Sequence, residues 1–302
     1  MAADNKNKLV LVTGGTGFIS SHTVKAFLDN GYRVRTTARS PENREKCKAL
    51  YTLQASLDDP SRLEIVKAAD LLEPECWKEA AKGCDLCAHL ASPFFIARNK
   101  KDEIQMCAAA EQGTLNVLRA CEEAGIKRVV VTSSMAAVLP GHTGLAGTTI
   151  DKPEEMWAVE AKVDGYTLSK LRAERAVWRY VKEENKNGME VSTINPCWVV
   201  GPPLSGNNAT SHELLAQMFA RKLPVTIHCT LTPASLLLNS LLLRAYLTRC
   251  TCFIAGHSRP RHERRGRARR CAGTCAGLGA RGCARQALLC GIRPRVRTST
   301  RR

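Results

Sequence analysis

Short apolar runs alternate with amphipathic segments along roughly the first two-thirds of the chain. The run KLVLVT at residues 8–13 ends in a glycine-rich turn, and residues 21–30 that follow have helical spacing and are closed by Gly31. Strand-like runs recur as YRVRTTAR, LEIVKAAD, CDLCAHLAS and RVVVTSS, and VSTIN follows a helical segment over residues 165–185. Strands that alternate with helices predict an α/β fold with a parallel sheet covered on both faces.

The alternation stops near residue 225, where the composition changes. Residues 226–302 contain 16 Arg, no Lys and one acidic residue, Glu263, so they carry nearly all of the net charge of +17. Seven of the fourteen cysteines lie there as well. We predict an α/β domain over residues 1–225 and an Arg-, Cys-, Ala- and Gly-rich tail over residues 226–302 that is irregular and poorly ordered.

The compartment is predicted from the N-terminus and the cysteines. No signal peptide is evident, and the apolar run SLLLNSLLL is interrupted by Asn239 and too short to span a bilayer. The seven cysteines of residues 1–225 lie in segments predicted as buried strand or helix, where a free thiol acts as a small apolar group. The tail pair Cys271 and Cys275 fits no standard zinc spacing. We expect a cytoplasmic protein with no membrane partner and no metal.

The glycine-rich turn reads TGGTGFIS and lies between the first strand and the first helix. Gly14 allows a tight turn, and Gly17 lets the backbone approach a pyrophosphate whose charge the N-terminus of the following helix stabilises. Phe18 and Ile19, which come next in the turn, are predicted cofactor contacts. An ordinary turn with glycines at positive φ is the alternative. The flanking strand and helix favour a dinucleotide site and hence a Rossmann-type, doubly wound sheet.

The choice of dinucleotide is made at the end of the second strand. An acid there accepts from the ribose hydroxyls of NAD, but the sequence is TARS. Arg39 is suited to hold a 2′-phosphate, with help from Arg44 or Lys46, which favours NADPH. The alternative is a solvated basic surface.

Asp70 follows the third strand directly, with Leu71 beside it. Its carboxylate is placed to accept a hydrogen bond from the adenine amino group, so both residues are predicted cofactor contacts. Capping of the next helix is the alternative role for Asp70.

A candidate catalytic group is formed by a phenol, an ammonium and a hydroxyl. Tyr166 and Lys170 are four residues apart and share one helix face, where the positive charge lowers the pKa of a phenol that protonates a carbonyl oxygen. Ser133 and Ser134 end the fifth strand at the edge where parallel sheets bind ligands. A solvated Tyr/Lys pair and a strand-end turn or helix cap are the alternatives. The chain order of turn, Ser, Tyr and Lys favours a reductase.

The sequence resembles the extended short-chain dehydrogenase/reductases of the NAD-dependent epimerase/dehydratase superfamily, and within them the dihydroflavonol reductase and cinnamoyl-CoA reductase group. The resembling stretches cover nearly all of residues 8–225 and include VTGGTGFISSHTVKAFLDNGYRVR, GTLNVLRACEEAGIKRVVVTSSMAAV, YTLSKLRAE and STINPCWVVGPP. The resemblance implies a catalytic triad of Ser134, Tyr166 and Lys170, with Arg39 on the 2′-phosphate. It also implies further cofactor contacts: Ala91, Ser92, Pro93, Pro196, Cys197, Trp198, Val199 and, through the ribose, Tyr166 and Lys170.

The function that the resemblance implies is hydride transfer from NADPH to the ketone or aldehyde carbonyl of a small-molecule substrate, as in the dihydroflavonol reductase group. Two alternatives stay open. One is a non-catalytic NADP-binding or truncated, inactive product, and the other is a nucleotide-sugar epimerase or dehydratase, which shares the fold and the Tyr/Lys pair but recycles its cofactor. Substrate identity and oligomeric state do not follow from the sequence.

The tail lacks a motif that the resembling family has after its GPP turn, similar to VDVRDVAxAHVLALE. Residues 266–280, GRARRCAGTCAGLGA, can be written in codons that spell DVRDVAQAHVLALE when read one base later. Our hypothesis is that residues from about 256 onward are reductase coding sequence read out of frame, after an intron-like insertion over residues 226–255. The chain then lacks one wall of a substrate pocket, and its Arg clusters reflect the shifted frame rather than nucleic-acid binding.

Overall fold

The structure is a computed structural model that describes residues 5–220 apart from 69, 94–98, 143–154, 164, 198 and 205–209. The predicted tail, residues 226–302, and Trp198 lie outside the described residues. Within the part of the chain that the structure describes, none of the helices combines the length and the apolar character that crossing a bilayer requires.

The described residues form a six-stranded parallel sheet with helices in the crossovers. In the order β3-β2-β1-β4-β5-β6, every neighbouring pair is parallel. The strands are β1 Leu9–Val12, β2 Arg33–Ala38, β3 Leu63–Lys67, β4 Leu86–His89, β5 Arg128–Thr132 and β6 Glu190–Ile194. The helices are α1 Phe18–Asp29, α2 Lys48–Ala55, α3 Pro74–Ala81, α4 Lys100–Glu123, α5 Gly165–Glu183 and α6 Thr210–Phe219. The predicted Rossmann-type sheet is confirmed.

Both faces of the sheet are buried, as the apolar runs predict. Along β1, Leu9 and Leu11 join a core cluster with residues of α3, α4 and α5, whereas Val10 and Val12 join a cluster with residues of α1 and α2. Alternate side chains of a strand point to opposite faces, so a strand that is apolar at every position needs helices on both sides.

The first helix begins at Phe18, three residues before the predicted start at residue 21. Gly17 is its N-cap in extended conformation, so the glycine-rich turn leads into the helix without further connecting residues. The apolar spacing alone marks only the part of a helix that packs on the core, which explains the late predicted start.

The prediction that the cysteines of residues 1–225 are buried is correct for five of the seven and wrong for two. Cys197 is exposed because it lies in the loop after β6, and Cys76 is only partly buried on the first turn of α3. The buried thiols are Cys47, Cys84, Cys87, Cys107 and Cys121.

Candidate active site

The glycine-rich turn follows β1 at the carboxyl edge of the sheet. Gly14 has a φ of +70°, and its N–H donates to Oγ1 of Thr37 at 2.8 Å. A Cβ at this position would lie 3.1 Å from the Cα of Ala91, on the loop after β4. The left-handed backbone and the close approach both require glycine.

Gly15, which the sequence analysis did not single out, is the most tightly packed glycine of the turn. A Cβ there would lie 2.1 Å from Oγ1 of Thr36 and 3.1 Å from its Cβ. Thr36 is fully buried and its hydroxyl donates to the carbonyl of Val12 at 2.8 Å, so it has no room to move away. The sequence did carry a signal for this role, because Gly15 is the second of two adjacent glycines in the turn.

The N-terminus of α1 is uncapped by any side chain. Its N-cap is Gly17, and its first turn contains no acidic residue. The Phe18 ring packs against two histidines. Its centroid lies 5.2 Å from that of His22 and 5.0 Å from that of His212. Phe18 and Ile19 have apolar side chains, so each can offer an anion only its backbone N–H.

The predicted 2′-phosphate ligands surround the end of β2. Arg39 is exposed directly after the strand, and Lys46 is exposed on the following loop. The guanidinium of Arg44 lies 3.8 Å from the centroid of the Tyr51 ring on α2, so this side chain stacks on the helix. The assignment of Arg39 and Lys46 to a phosphate stays a prediction.

Asp70 is exposed after β3, and its Oδ1 accepts from the N–H of Leu72 at 2.9 Å. The capping alternative is wrong, because the N-cap of α3 is Glu73. Asp70 instead closes the turn before that helix through its short side chain. Its predicted contact with adenine remains untested.

Leu71 lies on the loop between β3 and α3 and packs against α4. Its carbonyl accepts from Nε1 of Trp77 at 3.2 Å and from Nδ2 of Asn116 at 3.0 Å. Its side chain occupies the space beside Gly113, where a Cβ would come within 2.8 Å of it. These contacts hold the loop after β3 against α4.

A threonine and a histidine that sequence reasoning missed fix the loop after β4. Oγ1 of Thr13 accepts from the N–H groups of Leu90 and Ala91, both at 2.9 Å, and lies 2.9 Å from Nδ1 of His89. With both lone pairs used, the hydroxyl donates to His89, which we infer carries its proton on Nε2. Burial, with a smaller effect of the charge on Lys170, lowers the pKa of His89 to about 3, so the ring is neutral.

Ser92 and Lys170 are in direct contact across the site. Nζ of Lys170 donates to Oγ of Ser92 at 2.9 Å, and burial lowers the pKa of Lys170 to about 8. Nζ lies 5.6 Å from the centroid of the Tyr166 ring. The two members of the predicted Tyr/Lys pair therefore share one helix face, as their spacing indicates.

The Tyr166 phenol forms a hydrogen bond with the side chain of Ser134. Burial raises the pKa of Tyr166, and the bond with Ser134 opposes part of that rise. The expected lowering of this pKa by Lys170 is therefore wrong for the protein alone, because burial raises the pKa and Nζ of Lys170 donates to Ser92.

Ser134 caps a short helix and is also hydrogen-bonded to the Tyr166 phenol. It is the N-cap of a 3-10 helix, Met135–Ala137, and its Oγ accepts from the N–H of Ala136 at 3.1 Å. The capping alternative is correct, and it leaves the hydroxyl proton and one lone pair for Tyr166 or a ligand. The loop after β6 closes beside it, since the carbonyl of Pro196 accepts from the N–H of Met135 at 3.0 Å.

The start of α5 is held by a carboxylate of α4. Oε2 of Glu103 accepts from the N–H of Gly165 at 2.8 Å, and Lys100 pairs with the same carboxylate. Gly165 has a φ of +50° and directly precedes Tyr166. This bond fixes where the helix begins and hence where the phenol lies.

The structure brings together the Gly14 turn, the Ala91–Ser92 loop, Ser134, Tyr166 and Lys170 at the carboxyl edge of the sheet. Pro196 adjoins Ser134 through Met135, and Pro93 and Val199 are partly buried on the loops after β4 and β6. Strand order changes direction between β1 and β4, which is where ligands bind in sheets of this kind.

Comparison with known proteins matches residues 10–233 to the model of the NAD dependent epimerase/dehydratase family. The chain belongs to this family. The resemblance noted from the sequence is thus confirmed, and the chain is also similar to plant members of the family. It is 37% identical over 211 residues to cinnamoyl-CoA reductase of Medicago truncatula, covering 68% of this chain and 61% of that protein. It is 36% identical over 216 residues to anthocyanidin reductase of Arabidopsis thaliana, covering 69% of this chain and 60% of that protein.

Solved structures of reductases have the same fold as this epimerase/dehydratase family member. Yeast methylglyoxal/isovaleraldehyde reductase complexed with NADPH matches with a TM-score of 0.52 at 27% identity, over 65% of this chain and 59% of that one. Vestitone reductase of alfalfa matches with a TM-score of 0.52 at 30% identity, over 69% of this chain and 63% of that one. The chain spans about 60% of the length of the curated relatives it matches.

Proposed function

We propose that this chain is an NADPH-dependent reductase that converts the carbonyl of a small ketone or aldehyde to an alcohol. The observation that carries the proposal is the joined group of Ser134, Tyr166, Lys170 and Ser92 beside the glycine-rich turn. The relatives that the chain matches are named as reductases, and one solved neighbour is a complex with NADPH. Both observations support the proposal.

The glycine-rich turn fits a dinucleotide. Gly14, Gly15 and Gly17 leave the turn without β-carbons, which lets its backbone come close to a ligand. The contacts that a Cβ would make with Ala91 or Thr36 show that the turn is also packed tightly against the sheet. The uncapped first turn of α1, with Gly17 at its N-cap, offers N–H groups to a pyrophosphate. Arg39 is the proposed ligand of the 2′-phosphate. When bound, the reduced nicotinamide supplies the hydride.

Tyr166, Ser134 and Lys170 carry out the proton transfer that accompanies hydride transfer. Tyr166 donates its phenolic proton to the carbonyl oxygen, and its raised pKa keeps the phenol protonated at neutral pH. The Ser134 hydroxyl hydrogen-bonds the same oxygen as negative charge develops there. The Lys170 ammonium stabilises the phenolate that remains after the transfer.

Substitution of Tyr166 by Phe tests this assignment. We expect Tyr166→Phe to lose about 100- to 10,000-fold in NADPH-dependent reduction of a panel of aldehydes and ketones, because the proton donor is gone. NADPH binding, followed by protein fluorescence, stays close to wild type.

Tyr32→Phe is the matched control, since it removes a phenol that precedes β2 at the opposite edge of the sheet. It keeps full activity if the account is correct. A Tyr166→Phe variant as active as this control contradicts the proposal. A wild-type chain that binds NADPH without consuming it supports the non-catalytic alternative instead.

A further inference from the structure

A buried carboxylate lies behind the proposed catalytic group. Glu174 is 1% exposed and accepts hydrogen bonds from four side chains. Oε2 accepts from Oγ of Ser133 and from Nδ2 of Asn195, both at 2.6 Å, and Oε1 accepts from Oγ1 of Thr193 and Nε1 of Trp178, both at 3.3 Å. The two carboxyl oxygens thus face donors from Ser133, Asn195, Thr193 and Trp178.

These bonds join the ends of two strands to the middle of a helix. Ser133 follows β5, Asn195 follows β6, and Glu174 lies on α5 four residues after Lys170. Nδ2 of Asn195 also donates to the carbonyl of Ser134 at 3.0 Å, so the cluster reaches the backbone of that residue.

We propose that Glu174 is a positioning residue that sets Ser134 opposite Tyr166 by tying the ends of β5 and β6 to α5. The kinetic part of this inference rests on the proposed reductase function. Glu174 lies on the helix that carries the phenol and the ammonium, whereas Ser134 lies on a separate strand end. The carboxylate thus links the two halves of the proposed proton-donating group without itself touching a substrate.

An amide cannot replace this carboxylate. Each oxygen of Glu174 faces one hydroxyl, which can rotate, and one N–H, which can only donate. Glu174→Gln therefore places its NH₂ group against Nδ2 of Asn195 or against Nε1 of Trp178, whichever way the amide turns. A clash with Asn195 displaces the end of β6, and a clash with Trp178 pushes the glutamine side chain out of its place between α5 and the two strand ends, although its volume is nearly the same.

A double variant removes one of the two obligate donors. In Glu174→Gln/Trp178→Phe, the amide oxygen can face Ser133 and Asn195 while its NH₂ group donates to the Thr193 hydroxyl. This arrangement restores the bonds to the ends of β5 and β6. We expect the double variant to recover what the single variant loses, which a simple loss of packing would not allow.

The test reads the titration of Tyr166 by NMR of the full chain labelled at tyrosine Cζ, with Tyr166→Phe to assign the signal. Because the bond with Ser134 lowers the pKa of Tyr166, we expect that pKa to rise in Glu174→Gln and to return in the double variant. Glu122→Gln is the matched control: Glu122 accepts from Tyr180 and from backbone N–H groups near the other end of α5, and its loss should leave the titration unchanged.

Turnover gives a second measurement. We expect Glu174→Gln to reduce kcat by up to about 100-fold with little change in the Kd for NADPH, because misplacement affects the reacting groups. A Tyr166 titration that is unchanged in Glu174→Gln, or shifted equally in Glu122→Gln, overturns the inference. A shifted titration in a chain that reduces no carbonyl supports the positioning role and contradicts only the reductase proposal.

Discussion

At the scale of single residues, the protonation state of Lys170 decides how the proposed site responds to pH. Burial lowers its pKa to about 8, whereas burial raises that of Tyr166. The ammonium is therefore the first of the two groups to lose its proton as the pH rises. Below pH 8 both are protonated, which is the state that a proton donor with a stabilising cation requires.

We predict that kcat/KM for carbonyl reduction is constant below about pH 7.5 and falls as the pH passes about 8. Lys170→Met should lose most activity and this inflection, whereas Lys170→Arg keeps its charge and should move the fall to higher pH. A pH profile that stays flat from about pH 7 to pH 9 would contradict the role given to Lys170.

The same shift affects stability with a definite sign. The pKa of folded Lys170 lies below its ordinary value of 10.5, so between about pH 8 and 10.5 the native chain binds fewer protons than the unfolded chain. The free energy of unfolding therefore gains a contribution from this group as the pH rises through that range.

Sequence reasoning found the residues whose chemistry shows in local spacing. Tyr166 and Lys170 are four apart on one helix, and Ser134 ends a strand, so both features are visible without a fold. Glu174 and His89 were missed because their significance depends on contacts between separate elements. Only the tertiary structure shows that Glu174 meets Asn195 or that His89 meets Thr13.

At the scale of elements, the turn between β1 and α1 depends on a glycine that packs against β2. We predict that Gly15→Ala weakens NADPH binding and lowers the free energy of unfolding by about 1–3 kcal/mol, because its Cβ overlaps the buried Thr36. Isothermal titration and denaturant unfolding measure the two effects.

Gly83→Ala provides the control for this prediction. Gly83 has a φ of +72° and open space around an added Cβ, and it lies in the turn before β4, away from the carboxyl edge. This variant should lose stability through backbone strain but keep the wild-type Kd for NADPH. If Gly15→Ala bound NADPH as tightly as Gly83→Ala, the turn would not be the pyrophosphate site.

Strands were easier to predict than the start of the first helix. A strand buried on both faces is apolar at nearly every position, so β1 and β5 are visible as continuous runs. The start of α1 depends on the turn geometry at Gly17, which apolar spacing does not encode. The use of Asp70 in a turn rather than as a helix cap likewise depends on where α3 begins.

At the scale of the whole molecule, the strand order explains why distant sequence segments meet. The ends of β1, β4 and β5 are neighbours, so Gly14, Ser92 and Ser134 face one region, to which α5 adds Tyr166 and Lys170. The chain spans about 60% of the length of its curated relatives, so their substrates are proposals for this chain. The frame hypothesis for residues 226–302 stays a prediction that sequencing of the transcript can test.

The central claim, transfer of hydride to a carbonyl, is tested most directly by isotope transfer. The full chain is incubated with NADPH deuterated at the transferred position of C4 and with isovaleraldehyde or methylglyoxal, and the alcohol product is examined by mass spectrometry and NMR. The account predicts one deuterium on the former carbonyl carbon for each NADPH consumed, and none above background with Tyr166→Phe. NADPH that is recovered intact, or an alcohol without deuterium, would contradict it.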